Sequence, residues 1–497
     1  MLEPTVASIY ERASDRDAVA TTSMSHSENT NNASNISNYT ATSPSRGTDI
    51  PERLNLLRDA ISKHSIGNSA RINEHGAPVG LLPVPDSEYG LVMENTRVTP
   101  DSHWQDVRSL RLLVPNGDNG KRLDYFPGDV AVIYPKNFPQ DVDALIDLMG
   151  WGDVADKPFI YQDHQSADTL NKLPRNCYPL KNSTLRELLI HNYDITCIPR
   201  RSFFTQIACY TDDPTHKQRL RDFGNPVYTD EFYDYTSRPR RSTLEVLQDF
   251  PTVQIPYQHI PAVFPVIRGR EYSIASGGKL KQDSRHPDAT VIELLIALVK
   301  YKTVLRKTRH GLCSRYIGSL AVGTPISLAL RGNYNRGLSD VSAPLIAIAP
   351  GTGVAPIRAL LHDRNELRGN ERGFSSDATD SSSSRPESFL FYGGRNRAAD
   401  FYFENEWLAV GANVVTAFSR DQQTKIYVQD RLLENHEKVC ALLRQGAIIC
   451  LCGSSGKMPA AVRQALYDCM VKGGMAADQE QAKEILHKKH LFWEEVW

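Results

Sequence analysis

The chain has no Cys-x-x-Cys pair, no apolar run near the ~20 residues a membrane-spanning helix needs, and almost no net charge, −1 over 497 residues. Each absence removes a class. Eight cysteines are present (Cys177, Cys197, Cys209, Cys313, Cys440, Cys450, Cys452 and Cys469), but their scatter argues against structural zinc and thioredoxin-type chemistry. A disulfide framework is not expected in a long chain without a signal peptide, and the N-terminus has no apolar core of that kind. The balanced charge offers no global field to nucleic acid or to an anionic membrane. The expectation is a cytoplasmic protein with neither as a partner. Apolar residues at 40% and charged residues at 23% are ordinary for a globular chain. The length suits two or three domains of ~100–200 residues each.

Residues 1–50 are rich in Ser, Thr and Asn and are expected to be disordered. Their sequons at Asn32, Asn35 and Asn38 read as accidents of composition. Residues 51–88 read as a linker, with a short amphipathic piece over Leu54–Ile61. Order begins near Tyr89. Val107–Val114 and Asp129–Tyr134 read as strands, the second entered through the Pro127-Gly128 turn. From about 140 to 255 the periodicity is helical, over Val142–Met149, Thr184–His191, Ser202–Cys209, His216–Phe223 and Thr243–Phe250. Strand character returns over Val263–Ser276 and Ala289–Lys302. Residues 89–342 therefore read as a β-barrel interrupted by a helical insertion. From 343 to 497 the pattern changes. Short apolar strands at 344–349, 388–392, 414–418 and 447–452 alternate with helices, the first of them Ile357 to about Arg368. That alternation means a parallel α/β sheet. The Ser-rich stretch Phe374–Glu387 is expected to be a disordered surface loop.

Four groups of residues carry chemistry. Gly351-Thr352-Gly353-Val354-Ala355-Pro356 follows a strand and opens a helix, where missing side chains let a backbone approach a pyrophosphate. It is not GxGxxG, and a ligand-free tight turn is the alternative. Ser419-Arg420 and Lys425-Ile426-Tyr427-Val428-Gln429 follow the third strand of the α/β half, at its carboxyl end, where ligands bind. Such a set suits the 2′-phosphate of NADPH; a solvated polar loop is the alternative. Arg270-Glu271-Tyr272-Ser273 lies on a strand, so Arg270 and Tyr272 share a face and could meet a pyrophosphate and a flavin ring. His310-Gly311-Leu312-Cys313-Ser314 precedes a short helix read as Arg315–Leu320 and offers N–H groups to a phosphate; an ordinary N-cap at Ser314 is the alternative. Cys452 ends the last strand of the sheet. Trp497, after Glu494 and Glu495, is a large ring able to cover a flat cofactor; the alternative is a plug at a core edge.

These segments, with Ile198–Phe204, Arg238–Leu247, Pro265–Ser276, Tyr392–Asn396, Asp400–Tyr402 and Ala417–Arg420, resemble the NADPH-dependent diflavin reductases, the group built like cytochrome P450 reductase. The match runs from about residue 90 onward and is strongest to the branch that serves cytosolic iron–sulfur protein assembly. The resemblance implies an α/β plus β-barrel fold: a ferredoxin–NADP reductase-like FAD barrel with a helical insertion, then a parallel α/β nucleotide-binding domain. It implies FAD contacts from Arg240, Arg270, Glu271, Tyr272, Ser273, Gly311, Leu312, Cys313 and Ser314. It implies an NADPH site at Thr352, Ser419, Arg420 and Lys425 through Gln429 (Lys425, Ile426, Tyr427, Val428, Gln429). Trp497 resembles the ring that shields the flavin, and Ser273, Cys452 and Glu495 resemble the polar trio that supports hydride transfer. In P450 reductase the carboxylate of that trio is aspartate, so Glu495 departs from the pattern. Family members begin with a flavodoxin-like FMN domain, which the polar stretch before residue 90 does not resemble, so FMN binding is not supported. The implied acceptor is an anamorsin-type iron–sulfur protein or a separate FMN domain. A single-flavin ferredoxin–NADP-type reductase, or a non-catalytic interaction module keeping the fold, are the alternatives.

Overall fold

The computed structural model describes residues 50, 54–55, 57, 81, 84, 86–117, 120–160, 176–179, 182–304, 306–332, 340–374, 386–488 and 492–497. Within them two compact units separate, one holding 50–332 and 358–374, the other 340–357 and 386–497. The expectations for 1–49, for most of 51–88 and for the centre of the Ser-rich stretch lie outside the described residues.

The first unit is built on a six-stranded sheet. Its strands are β1 (Ser87–Arg97), β2 (Val107–Pro115), β3 (Val130–Ile133), β4 (Arg270–Ser273), β5 (Ala289–Ala297) and, beyond the hairpin of β6 (Lys300–Lys302) and β7 (Thr308–His310), β8 (Pro325–Arg331). The order is β4-β3-β8-β1-β2-β5, with every pairing antiparallel. β5 reads Ala-Thr-Val-Ile-Glu-Leu-Leu-Ile-Ala and is buried along nearly its whole length, as a strand covered on both faces requires. Leu110, Leu112, Val114, Ile133, Ile292, Leu294 and Leu328 fill the barrel core. Leu54 and Leu57, three apart in the amphipathic piece, pack with Leu91, Leu113 and Val291.

Between β3 and β4 lies the helical insertion: α1 (Pro139–Met149), α2 (Leu185–His191), α3 (Arg201–Ile207), α4 (Pro214–Gly224), α5 (Thr229–Tyr235) and α6 (Thr243–Asp249). Local signals start three of these helices. Thr184 with Glu187, and Ser242 with Glu245, form reciprocal capping boxes, and Asp213 accepts from the His216 N–H ahead of Pro214. The insertion has its own core, with Phe204, Phe223 and Val246 at the centre, and Tyr235 stacks on Phe223 with ring centroids 4.5 Å apart.

The second unit is a five-stranded parallel sheet, order β11-β10-β9-β12-β13. Its strands are β9 (Leu345–Pro350), β10 (Ser388–Gly394), β11 (Ala412–Phe418), β12 (Ile448–Gly453) and β13 (Phe492–Val496). α7 (Leu312–Gly318) closes the end of the barrel. α8 (Val354–Phe374) leaves the Gly-rich turn, and α9 (Val428–Glu434), α10 (His436–Arg444), α11 (Lys457–Lys472) and α12 (Gln479–Lys488) cover the parallel sheet. Ile346, Ile348, Phe391, Ile449, Leu451 and Leu466 form its core.

Several expectations need correction. Val263–Ser276 is not one strand: Ile260–Val263 is a turn of helix, and only Arg270–Ser273 is extended. Ala289–Lys302 breaks after Ala297 into β5 and β6. α7 starts at Leu312, not Arg315, so Ser314 lies inside the helix and Gly311 is its cap. α8 runs from Val354 to Phe374, longer at both ends than expected. β1, β8 and β13 were not foreseen as strands. Among the described residues, no helix is long and apolar enough to cross a membrane, and no cluster of His, Cys, Asp or Glu could hold a metal ion.

Two buried bases sit behind the barrel. Lys136, 5% exposed and 5.6 Å from the Tyr316 ring, is lowered by burial to about 7. His191 is held down to about 3 by burial and then by the Lys136 charge. For each group the unfolded chain binds more protons between the folded value and the ordinary one. Stability therefore falls as pH drops from 10.5 to about 7 through Lys136, and from 6.5 to about 3 through His191. Lys136→Met is expected to flatten the first window and to raise the melting temperature at pH 7, by about 1–2 °C per kcal/mol recovered. Thermal melts from pH 6.5 to 10.5 check this; an unchanged pH slope contradicts it.

Candidate functional site

On the barrel, three segments singled out from the sequence meet in one chain of contacts. β4 pairs with β3 so that Tyr272 faces Ala131 and Arg270 faces Ile133. Arg270 is exposed and bonds to the Arg268 carbonyl at 2.8 Å. The Tyr272 hydroxyl donates to the Cys313 sulfur at 3.3 Å, which joins the Arg-Glu-Tyr-Ser strand to the first turn of α7. Burial pushes the Cys313 thiol up to about 11 and the Tyr272 phenol higher still, so both stay neutral. The Ser314 hydroxyl accepts from the Val299 N–H at 2.9 Å and so pins the β6–β7 hairpin to the helix. On that hairpin Tyr301 lies under the Arg240 guanidinium, 5.5 Å from its ring centroid. Arg240 takes a left-handed backbone (φ 53°), which few non-glycine residues adopt. Its segment is tied to the hairpin by Arg309, which donates to the Pro239 carbonyl and pairs with Glu245 at 2.5 Å. Burial works against the Glu245 charge, but Arg309 and Lys307 outweigh it and hold the carboxyl at about 2.

Arg240, Arg270, Tyr272 and the Gly311–Ser314 turn are thus brought together. Tyr301 escaped the sequence reading because it was folded into a single long strand; an aromatic at a hairpin just before the Gly-x-Cys-Ser turn was the available signal. Glu271 lies apart from that group. It alternates to the face opposite Tyr272 and pairs with Arg331 at the end of β8. Ser273 closes β4, half-buried opposite Val130. An exposed Arg270, a half-buried Arg240, a part-covered phenol ring and the first turn of a helix fit a flavin dinucleotide.

In the parallel sheet the Gly-rich turn sits at the carboxyl end of β9. Gly351 has φ 59° and open space around its α-carbon, so nothing blocks a ligand there. Gly353 is different: a Cβ would lie 2.2 Å from the Cys452 carbonyl oxygen. Its missing side chain is needed for packing on the end of β12, which is the third-glycine role of helix–strand contact rather than ligand approach. Thr352 between them is half-buried.

The next two strands carry the charge. Arg395 follows β10 and Arg420 follows β11, and the strands run in parallel register with Gly394 opposite Phe418. The Arg420 N–H donates to the Arg395 carbonyl at 2.8 Å, and the Ser419 N–H to the Gly394 carbonyl at 3.0 Å. Burial, then the Arg420 charge, lowers Arg395 below the ordinary arginine value. Two guanidiniums close enough to repel, at adjacent strand ends, suit a phosphate. Arg395 escaped the site assignment although it lies in the Tyr-Gly-Gly-Arg-Asn segment. Lys425 is exposed and Tyr427 is 44% exposed. Ile426 and Val428 are placed differently: Val428 is 3% exposed, and both side chains pack into the core of the sheet, while Lys425 and Tyr427 are exposed and Gln429 is half-buried.

The last residues form β13. Cys452 pairs in register with Glu495, and Cys450 with Trp493. Burial above all, then the neighbouring Cys450 and Glu495, pushes the Cys452 thiol far above its ordinary value. It is a neutral S–H, not a thiolate. Glu494 points the other way and pairs with Arg463 at 2.7 Å. Trp493, 8% exposed, is the core plug. Trp497 is 50% exposed, while its backbone is fixed: its N–H donates to the Gly453 carbonyl at 3.1 Å, and its carbonyl accepts from the Ser455 N–H at 2.7 Å. The plug alternative for Trp497 is set aside.

The architecture defines an oxidoreductase with two dinucleotide-binding halves. An FAD binding domain family matches residues 92–316, and an oxidoreductase NAD-binding domain family matches residues 347–464. The chain is 46% identical over 415 residues to NADPH-dependent diflavin oxidoreductase 1 of Aspergillus fumigatus, covering 81% of this chain and 62% of the relative. It is 41% identical over 467 residues to the protein of the same name from Gibberella zeae, covering 91% and 73%. To that of Schizosaccharomyces pombe it is 36% identical, covering 82% and 65%. The chain therefore belongs to the NADPH-dependent diflavin oxidoreductase 1 family, and it spans about 62% of the length of the Aspergillus member.

The buried thiol gives a direct check. Under native conditions iodoacetamide is expected to label exposed Cys209 and to spare Cys452 until denaturant is added. Peptide mapping reads the outcome; native labelling of Cys452 at the Cys209 rate contradicts the neutral, buried assignment.

Proposed function

We propose that this chain is an NADPH-dependent FAD reductase that hands electrons to an FMN domain or to an iron–sulfur partner of the anamorsin type, in cytosolic iron–sulfur assembly. When bound together, the two cofactors supply hydride transfer from nicotinamide to flavin, and the protein supplies orientation and electrostatics. The observation that carries the cofactor choice is the Arg395–Arg420 pair at adjacent strand ends. A bound anion would add to the Asp400 carboxylate that already acts on Arg395, and a 2′-phosphate places two negative charges where NADH has none. Lys425 and the hydroxyls of Ser419 and Tyr427 add donors around the same strand end. Gly351 and Thr352 leave backbone N–H groups for the pyrophosphate.

On the barrel, Arg270 and the first turn of α7 would hold the FAD diphosphate, and the Tyr272 ring would cover part of the flavin. Arg240 and Tyr301 would take the adenosine end. Ser273 would hydrogen-bond near the reacting flavin nitrogen. In the other unit Cys452, as a neutral S–H, and Glu495 are paired at the ends of β12 and β13, where with the exposed Trp497 indole they would meet the nicotinamide. The fixed backbone of Trp497 means that any displacement is a rotation of its indole about the side-chain bonds, not a movement of the tail.

Purified protein is expected to be yellow, and NADPH is expected to bleach bound FAD in stopped flow. A colourless protein that cannot be loaded favours the interaction-module alternative. Arg420→Ala and Lys425→Ala should each weaken NADPH by roughly 1.5–3 kcal/mol, the scale of a charge-assisted bond, and leave NADH nearly unchanged. Equal losses for both nucleotides contradict the 2′-phosphate site.

A further inference from the structure

A buried ion pair lies just past the end of the flavin-side strand, and the reading above does not use it. Glu293 is the single charged residue of β5 and is 6% exposed. Its carboxylate accepts from the Ser109 hydroxyl at 2.9 Å, lies 3.0 Å from the Arg358 guanidinium, and lies 4.0 Å from Arg111 on the paired strand. Arg358, 3% exposed, comes from the second turn of α8. The same Arg358 nitrogen, Nη1, donates to the Ala275 carbonyl at 3.1 Å, two residues beyond Ser273. The Ala275 N–H in turn donates to the Glu293 carbonyl at 2.7 Å.

The next residues are held as tightly. The Ser276 hydroxyl accepts from the Glu293 N–H at 3.0 Å and lies 2.7 Å from the Tyr125 hydroxyl. The Tyr125 hydroxyl spends its own proton on the Val291 carbonyl at 2.6 Å, so Ser276 must be the donor of that shared bond. Asp363, further along α8, accepts from the Gly278 N–H at 3.0 Å and pairs with Lys281 at 3.1 Å. Gly277 has no room for a side chain, because a Cβ would stand 1.9 Å from the Ala359 carbonyl oxygen. From Ala275 to Lys281 the chain is therefore bolted to one face of α8.

Stability alone does not explain this arrangement. A buried ion pair is often no more stable than well-packed apolar residues of the same volume, because both charges lose water. What the pair gives is geometry: one guanidinium fixes a carbonyl and a carboxylate at once, in the segment that carries Ser273. We propose that Arg358 is a positioning residue for the flavin reaction, holding Ser273 in register through the Ala275 carbonyl and Glu293. This rests on the reductase reading.

The test uses the full chain loaded with FAD, and three variants: Arg358→Met, Arg358→Lys, and Arg358→Met combined with Glu293→Met. Three quantities are read: the limiting rate of bleaching with its apparent Kd for NADPH, the visible circular dichroism of oxidised bound FAD, and amide exchange over residues 275–278. Arg358→Met is expected to slow bleaching about tenfold or more, as misplacement near a reacting centre does, with Kd moving less than about twofold. The dichroism should change and the 275–278 amides should exchange faster, and Arg358→Lys should recover part of the rate. The double variant also removes the buried carboxylate that lost Arg358, so its melting temperature should return toward wild type while the rate stays low. If rate and melting temperature recover together, or if Arg358→Met keeps the wild-type rate, dichroism and exchange, the proposal is overturned. A wild-type protein that holds FAD but is not bleached by NADPH sinks the reductase reading instead, and the dichroism and exchange comparisons still decide the role of Arg358.

Discussion

Position 353 has no room for a side chain, and much of the nucleotide half depends on that. With hydrogen in place of a methyl, the turn after β9 can lie against the Cys452 carbonyl at the end of β12. The contact fixes where α8 begins and leaves Gly351 facing open space. The neighbouring strands add the complement. β10 and β11 end level with each other, so the residues that follow, Arg395 and Arg420, come close enough for one charge to disfavour the other. A steric constraint on one side of the sheet and two neighbouring cations on the other come from residues distant in sequence.

The flavin half uses different means. Its segments are joined by weak neutral bonds, such as Tyr272 to Cys313 and Val299 to Ser314, and by cations laid over rings, such as Arg240 over Tyr301. Burial keeps the Cys313 thiol and the Tyr272 phenol protonated, so at that contact the half offers a neutral donor pair and an apolar ring. That suits a diphosphate and a flat ring system. Cys452 follows the same rule: its environment costs a thiolate so much that it serves as a hydrogen-bond group only.

What was legible in the sequence was what local pattern controls. The apolar runs of β9, β10 and β12, the helical periodicity over Leu185–His191 and Thr243–Asp249, and the Arg-Glu-Tyr-Ser strand all read correctly because each announces itself over four to ten residues. The failures are tertiary. β13 contains Glu494 and Glu495, which break the apolar pattern, and it is a strand because β12 supplies a partner and Arg463 answers one of the charges. α7 begins three residues early because Cys313 and Tyr316 have a barrel core to fill. Arg395 could not be singled out without knowing that β10 and β11 are neighbours.

The central claim is that the ends of β10 and β11 form a site for a ribose 2′-phosphate. Calorimetric titration with 2′,5′-ADP against 5′-AMP, which needs neither flavin nor turnover, addresses it most directly. The account predicts binding of 2′,5′-ADP that weakens steeply with salt, as charge-assisted contacts at a partly exposed site do, and little binding of 5′-AMP. Equal affinity for the two nucleotides, or no binding of either, would contradict it.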